Sequence, residues 1–282
     1  MDIFQLSLAA GIMIILIAFL GEYMDSTLGM GYGTTLTPVL IIMGYQPMQI
    51  VPAVLLSELV TGLLAGFTHH MMGNVDFRPK TMNLKKIYNS LKTIGIVNSM
   101  KKGLPVNLKV AMVIGACSIL GTIIAVIFAI SIPKFYLKLF IGVLIFIIGI
   151  VILITVNRTF EFSWKRVVIL GLVASFNKGT SGGGYGPVVT GGQLIAGVDG
   201  KNAIGITSLA EGLTCMVGVA AYFILKDNIN WMLAPYLVIG AIISVPLSAY
   251  TVRKMDTKWL RLVIGIVVII LGLLILWKTF GN

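Results

Sequence analysis

Charged side chains within apolar segments are the residues of this sequence that could do chemistry. Asp25 and Lys178 each follow an apolar run, and Glu58 and Glu211 lie in the middle of two others. A charge inside a membrane segment is costly and is by default a functional hypothesis. Glu58 and Glu211 therefore predict ion or proton coupling. The alternative is structural, with each carboxylate capping backbone N–H groups of a facing broken helix.

Glycine-rich stretches adjoin Asp25 and Lys178: GMGYGTT at 29–35 and FNKGTSGGGYGPVVTGG at 176–192. An unpaired backbone N–H in lipid costs several kcal/mol, so irregular backbone is tolerated only inside protein or beside a wet cavity. Glycine permits positive φ, and Pro187 fits the first turn of a new helix. We expect 180–186 to be irregular and two helix N-termini to converge on one cavity. Such ends bind anions.

The candidate anion-binding residues come from both stretches. They are Gly31, Tyr32, Gly33 and Thr34 in the first, and Thr180, Ser181, Gly183, Gly184, Tyr185 and Gly186 in the second. Lys178 would add a full positive charge, unless it snorkels to the membrane interface. Asp25 lies at the equivalent position of the first half, so it either pairs with Lys178 or carries a proton. The two tyrosines either hydrogen-bond substrate or pack the broken helices.

An internal repeat relates the two stretches. A shift of 153 positions places Gly31-Tyr32-Gly33 on Gly184-Tyr185-Gly186, and the same register places Glu58 on Glu211. One ungapped register thus aligns a glycine motif and an intramembrane carboxylate. The sequence predicts two membrane repeats, 1–156 and 157–282.

The elements that must position these residues are apolar helices. Apolar residues make up 57% of the chain and charged residues 11%, against about 25% charged in soluble domains. Apolar segments fall at 6–24, 31–44, 48–72, 107–130, 135–156, 165–176, 187–197, 201–225, 231–250 and 259–277. We expect an all-α polytopic membrane protein with about eight to ten membrane segments. Three of them (31–44, 165–176 and 187–197) are short for about 30 Å of hydrocarbon, so they cross or form re-entrant hairpins.

The basic residues predict the orientation in the membrane. Residues 78–109 hold eight Lys/Arg and no acid, so the loop 73–106 is expected in the cytoplasm. Apolar residues at helical spacing in 84–94 predict an amphipathic surface helix, or else a solvated loop. Counting onward puts 131–138 outside and both 158–166 and 253–261 inside. The two repeats would then be inverted, as in many secondary transporters. His69 and His70, at a helix end, are expected at the interface.

Several function classes have no support in the sequence. Cys117 and Cys215 lie in apolar segments without a CxxC motif, and no GxxxxGK[ST] motif is present. No residue set has catalytic or metal-ligand spacing, so we expect no enzyme, no cofactor and no metal site. The first Lys or Arg is Arg78, so no cleavable signal peptide is expected. The basic residues report orientation, so no nucleic-acid partner is expected.

The glycine motifs resemble a known family. GMGYGTTLTPVL at 29–40 and SGGGYGPVVTGG at 181–192, each followed by a polar-studded helix, resemble the sulfite exporter TauE/SafE-like family of membrane transporters. The resemblance covers essentially the whole chain. It implies movement of sulfur-containing anions, such as sulfite, thiosulfate or sulfoacetate, across the bacterial cytoplasmic (inner) membrane.

The predicted function is therefore a multi-pass secondary transporter of small anions. Backbone amides and Lys178 would hold the anion, and Asp25, Glu58 or Glu211 would exchange protons during alternating access. The expected partners are a small anionic substrate and the lipid bilayer, with a homo-oligomer left open. The rival hypotheses are an anion channel, a transporter of another small metabolite such as an amine, and a membrane enzyme, for which no catalytic groups are found.

Overall fold

The computed structural model describes residues 7–45, 47–79, 103–129, 134–158, 160–181, 185–225 and 230–280, and every regular element of that part is helical. Its ten helices of 11 or more residues are α1 Leu8–Leu28, α2 Tyr32–Ile42, α3 Pro47–Met71, α4 Val106–Ala129, α5 Lys134–Ile154, α6 Trp164–Ser181, α7 Tyr185–Ile195, α8 Gly200–Leu225, α9 Ala234–Lys254 and α10 Thr257–Phe280. Five described helices are long and apolar enough to cross a membrane: α1, α3, α8, α9 and α10. The prediction of an all-α polytopic membrane protein is confirmed.

The first glycine break is short. It follows α1, whose start is capped by Ser7, which accepts a 3.4 Å hydrogen bond from the N–H of Ala10. The helix ends at Gly29, whose φ of 72° is the left-handed conformation that favours glycine. Gly31 has a φ of 124°, and α2 begins at the next residue. The irregular backbone therefore spans only 29–31, and Tyr32 and Gly33 already belong to α2.

The second break is also shorter than the sequence predicts. Thr180 and Ser181 are helical and end α6, whereas Tyr185 and Gly186 begin α7. The prediction of irregular backbone over the whole of 180–186 is therefore wrong at both ends. Continued helix satisfies backbone N–H and C=O groups within the segment, which hydrocarbon surroundings favour.

The short helices α2 and α7 return toward the end from which the preceding helix starts. Each has 11 residues, a length of about 16 Å, which is half of what a crossing needs. The N–H of Ser163, just before α6, donates a 3.0 Å hydrogen bond to the carbonyl of Ala196, just after α7. In the first half, Leu40 near the end of α2 shares a buried cluster with Ile14 near the start of α1. Both helix pairs are thus helical hairpins whose second arm is too short to cross a membrane.

Helices of one half pack against helices of the other. The four largest helix pairs are α5 with α10, α3 with α8, α4 with α6, and α1 with α9. Under the 153-residue shift, α3 is equivalent to α8, and α5 corresponds to α10 by its order in the repeat once the longer loop of the first half is allowed for. The remaining two pairs exchange partners, since the first helix of each half packs on the fourth helix of the other.

The directions of these pairs follow from close contacts at glycines. Gly218 packs on Leu55 and Gly205 on His69, so α3 and α8 are antiparallel. Gly142 packs on Leu276 and Gly265 on Leu153, so α5 and α10 are antiparallel as well. By contrast, α1 and α9 are parallel, because Gly11 packs on Tyr236 and Tyr23 bonds to Thr251 near the other end.

The described basic residues concentrate at one end of the bundle. Hydrogen bonds join the helix ends there: Lys201 Nζ donates to the carbonyl of Arg253, and Arg261 donates to the carbonyl of Arg158. The described Lys and Arg residues in these helix ends and their adjoining loops are Arg78, Lys109, Arg158, Lys165, Arg166, Lys201, Arg253, Lys254, Lys258 and Arg261. The predicted amphipathic segment 84–94 lies outside the described residues.

Candidate functional site

The two glycine breaks touch each other inside the bundle. A Cβ at position 186 would lie 2.7 Å from the carbonyl oxygen of Gly29 and 2.7 Å from the Cα of Met30. The hydroxyl of Thr190, on α7, donates a 2.7 Å hydrogen bond to that same carbonyl. The start of α7 therefore packs, backbone against backbone, on the loop that begins α2.

Protein carboxylates occupy the start of α2. The N–H of Tyr32 donates a 3.2 Å hydrogen bond to Oδ1 of Asp25. A Cβ at Gly33 would lie 3.0 Å from Oε1 of Glu58, so this carboxylate also approaches the first turn of α2. Negative groups are stabilised at a helix N-terminus by its free N–H groups and its dipole. Asp25 thus holds, in this conformation, one of the amides that the sequence assigns to the anion.

Glu58 and Glu211 lie beside the point where α3 and α8 cross. Gly62 and Gly212 let the two backbones approach closely there, and both carboxylates are buried. Oε2 of Glu58 accepts a 3.3 Å hydrogen bond from the thiol of Cys215. The crossing therefore brings two carboxylates equivalent in the repeat into the interior of one bundle.

Glu22 is a buried carboxylate that the sequence analysis missed. Its side chain is 2% exposed and accepts hydrogen bonds from Ser26 Oγ at 2.5 Å and Thr61 Oγ1 at 3.0 Å. It interacts electrostatically with Glu58 and Glu211. The usable signal was its charge in the apolar run 6–24, the same signal that marked Glu58.

Four buried carboxylates thus share the centre of the bundle: Glu22, Asp25, Glu58 and Glu211. Among the described residues, no three His, Cys, Asp or Glu side chains are placed to hold a metal ion. The arrangement suits groups that take up and release protons more than it suits a metal centre.

The two motif tyrosines are buried and have different partners. Tyr32 Oη shares a 2.8 Å hydrogen bond with Ser57 Oγ on α3. Tyr185 Oη shares a 3.0 Å hydrogen bond with Ser118 Oγ on α4, to which Ser175 Oγ also donates. Equivalent positions of the repeat are therefore tied to different helices of the bundle.

A chain of polar side chains lines α7 on the side of the first break. Thr190 Oγ1 and Thr207 Oγ1 share a 3.0 Å hydrogen bond, and Gln193 Nε2 donates to Thr207 at 2.8 Å. The Oε1 atom of Gln193 is buried and has no partner among the described residues. The sequence analysis did not assign any of the three to the site, because a single threonine or glutamine in a helix carries no spacing signal.

Part of the predicted anion site is described only in its backbone or lies outside the described residues. Gly183 and Gly184 lie outside. For Thr34, Lys178, Thr180 and Ser181 the helical backbone is described and the side chain is not. Lys178 lies in the last turn of α6, where the helix dipole favours a cation. Its pairing with Asp25 stays a prediction.

His69 is buried, so the prediction of an interfacial position is wrong for this side chain. Its Nε2 lies 2.9 Å from the carbonyl oxygen of Ser26, and its Nδ1 lies 3.0 Å from Nδ2 of Asn74. Asn74 and His70 line an open cavity of about 500 Å³ between the end of α3 and the start of α8. His69 packs against Ser26 on α1 and Gly205 on α8, and its position at a helix end does not by itself reveal this burial.

Comparison with known proteins places this chain among membrane transporters. The family model described as Sulfite exporter TauE/SafE matches residues 14–82 and 86–275. The chain is 25% identical, over 267 residues, to a protein named "Probable membrane transporter protein YtnM" of Bacillus subtilis (strain 168). That alignment covers 89% of this chain and 79% of the relative. No solved structure matches the chain.

Proposed function

This chain belongs to the sulfite exporter TauE/SafE family of membrane transporters, and we propose that it moves small sulfur oxyanions or organosulfonates by proton-coupled alternating access. The observation that carries the proposal is the contact between the two glycine breaks, Gly186 against Gly29 and Met30, inside the bundle. A helix beginning at such a break has free N–H groups within the membrane, and broken helices near the midplane are the usual place of a transporter's substrate site.

Alternating access is supported by the relation between the two halves. A twofold axis in the membrane plane turns each crossing helix antiparallel to its equivalent. The equivalents α3 and α8 are antiparallel where they pack, and so are α5 and α10. We assign the halves as inverted repeats, whose rocking would expose the contact between the breaks to each side in turn.

The orientation follows from the basic end of the bundle. Positive charge accumulates on the cytoplasmic side of bacterial membrane proteins. The described basic helix ends, which include Arg78, Lys201 and Arg253, therefore face the cytoplasm. In this orientation the loop 73–106 is cytoplasmic and the cavity beside Asn74 opens to the cytoplasm. The membrane in this proposal is the inner membrane of a bacterium.

Asp25 gives the proposed coupling a physical basis. Its carboxylate accepts the N–H of Tyr32, so a substrate anion and Asp25 compete for the start of α2. Protonation removes the negative charge and weakens the hydrogen bond, since charge-assisted hydrogen bonds are about twice as strong as neutral ones. A protonated Asp25 therefore admits the anion.

Replacement of Lys178 by alanine tests the substrate class. The protein in proteoliposomes is expected to exchange radiolabelled sulfite saturably, with competition from other sulfur anions. Loss of the positive charge near the α7 N-terminus should weaken sulfite binding about tenfold or more, equivalent to about 1.4 kcal/mol. Lys165→Ala, which removes an exposed cation from the start of the same helix, is the control. Absence of exchange in the wild type with every sulfur anion would refute the substrate assignment.

Asp25→Asn tests the competition at the start of α2. The wild type is expected to bind sulfite more weakly as the pH rises, because the ionised carboxylate competes with and repels the anion. The variant should bind about tenfold more tightly than the wild type at alkaline pH. Its affinity should also change less with pH than that of the wild type. Binding is measured by thermal shift, with the concentration of the sulfite dianion kept the same at every pH. Asp256→Asn, at an exposed helix end, is the control. Equal pH profiles in the wild type and Asp25→Asn would contradict the mechanism.

A further inference from the structure

Thr61 can serve Glu22 in both of its protonation states. The Thr61 hydroxyl lies 3.0 Å from Oε2 of Glu22 and 2.9 Å from the carbonyl oxygen of Ser57. When Glu22 is ionised, the hydroxyl can donate to the carboxylate. When Glu22 is protonated, its own O–H can donate to Thr61, whose hydrogen then turns to the carbonyl of Ser57. Neither state leaves a hydrogen unpaired, so the site is built for a change of protonation.

The second oxygen of Glu22 leads toward the open cavity. Ser26 Oγ donates to Oε1 of Glu22, and the carbonyl of Ser26 lies 2.9 Å from Nε2 of His69. Nδ1 of His69 faces Nδ2 of Asn74, which also donates to the carbonyl of Ala249. Since Asn74 uses its amide hydrogens in both contacts, His69 accepts at Nδ1 and carries its hydrogen on Nε2. One run of contacts thus joins Glu22 to the cavity wall.

Every described ionisable group that interacts with Glu22 is an acid. Asp25 lies one turn further along α1, Glu58 faces it from α3 and Glu211 from α8, with the Tyr32 hydroxyl on α2. Each neighbouring negative charge disfavours a further negative charge on Glu22. Arrival of a substrate anion adds one more, so anion binding favours uptake of a proton by this group.

We infer that Glu22 is a proton-carrying residue of the transport cycle and that Thr61 is the hydroxyl that switches with it. The inference rests on the proposed function, because it adds Glu22 to Asp25 as a carboxylate that proton-coupled transport requires. In each cycle, Glu22 takes a proton from water on one side of the membrane and returns it to water on the other.

Proteoliposomes loaded with the pH dye pyranine separate exchange from coupling. Radiolabelled sulfite exchange is measured at equal pH on both sides, and sulfite accumulation and proton flux are measured under an imposed pH gradient. Glu22→Gln, which stays neutral, is expected to keep exchange at the wild-type level and to lose both accumulation and proton flux. Glu161→Gln removes an exposed carboxylate and is the matched control. A Glu22→Gln variant that still accumulates sulfite with proton flux would overturn the inference.

Thr61 provides a second, independent test. Thr61→Val removes the switching hydroxyl at nearly constant volume, whereas Thr61→Ser keeps it. We expect the valine variant to lose most proton flux while it retains exchange, and the serine variant to keep both at the wild-type level. If Glu22→Gln does not fold, this pair decides, and equal proton flux in the valine variant and the wild type overturns the inference. Failure of the proposed function is recognised separately, because the wild type would then exchange no sulfur anion.

Discussion

Gly186→Ala is expected to abolish most substrate exchange. The new Cβ would lie 2.7 Å from both the carbonyl oxygen of Gly29 and the Cα of Met30. These are backbone atoms, which cannot rotate away as the end of a side chain can. Overpacking of this kind costs about 1–3 kcal/mol, and about 1.4 kcal/mol at the binding site corresponds to a tenfold loss of affinity. Sulfite exchange in proteoliposomes measures the effect.

The control for Gly186→Ala is Gly103→Ala. Position 103 has open space around an added Cβ and lies outside the long helices. This variant should exchange sulfite as the wild type does. Wild-type exchange by Gly186→Ala itself would mean that the two breaks are not in backbone contact during transport. That result would remove the main support for a substrate site between them.

Gly62→Ala is expected to have the largest effect on stability. Its Cβ would lie 2.8 Å from the N–H nitrogen of Gly212 and 2.8 Å from the carbonyl oxygen of Ser208. Relief requires α3 and α8 to separate at their crossing, where Glu58 and Glu211 lie. The loss should be about 1–3 kcal/mol, which corresponds to a fall in Tm of roughly 2–10 °C. Thermal unfolding of the detergent-solubilised protein measures it.

Gly115→Ala is the matched control for the crossing. It makes the same change on α4, which also packs on α8. A Cβ at position 115 would lie 3.6 Å from the side chain of Leu213, an ordinary contact. Because alanine favours helix over glycine by up to about 1 kcal/mol, this variant should be as stable as the wild type or slightly more so. A Gly62→Ala protein that melts together with Gly115→Ala would contradict the close crossing.

Glu22 shows where prediction from the sequence stopped short. The apolar run spans 6–24, which places Glu22 near its end, where a charge usually meets the membrane interface. The helix in fact continues to Leu28, and α3 closes over its last turns through Thr61 and His69. The charge signal was present in the sequence. Its burial depended on a contact between residues 39 positions apart.

The two motif tyrosines show the same limit. Tyr32 and Tyr185 are equivalent under the repeat, and nothing in their local sequence distinguishes their partners. The structure bonds the first to Ser57 on α3 and the second to Ser118 on α4. Such differences arise from how the helices are arranged, so a repeat in sequence does not predict a symmetric site.

The sequence by itself determined the helices, their approximate ends and the repeat. It also marked the carboxylates at 25, 58 and 211 by their charge within or beside apolar segments. These properties are local, since in a membrane every backbone group must be paired within its own segment and long apolar runs meet this need as helices. The tertiary structure alone decided that the breaks touch, that α1 packs on α9 and α6 on α4, and that Glu22 joins the buried carboxylates. Helix packing in lipid depends on close fit and on specific polar pairs between distant segments, which hydrophobicity does not encode.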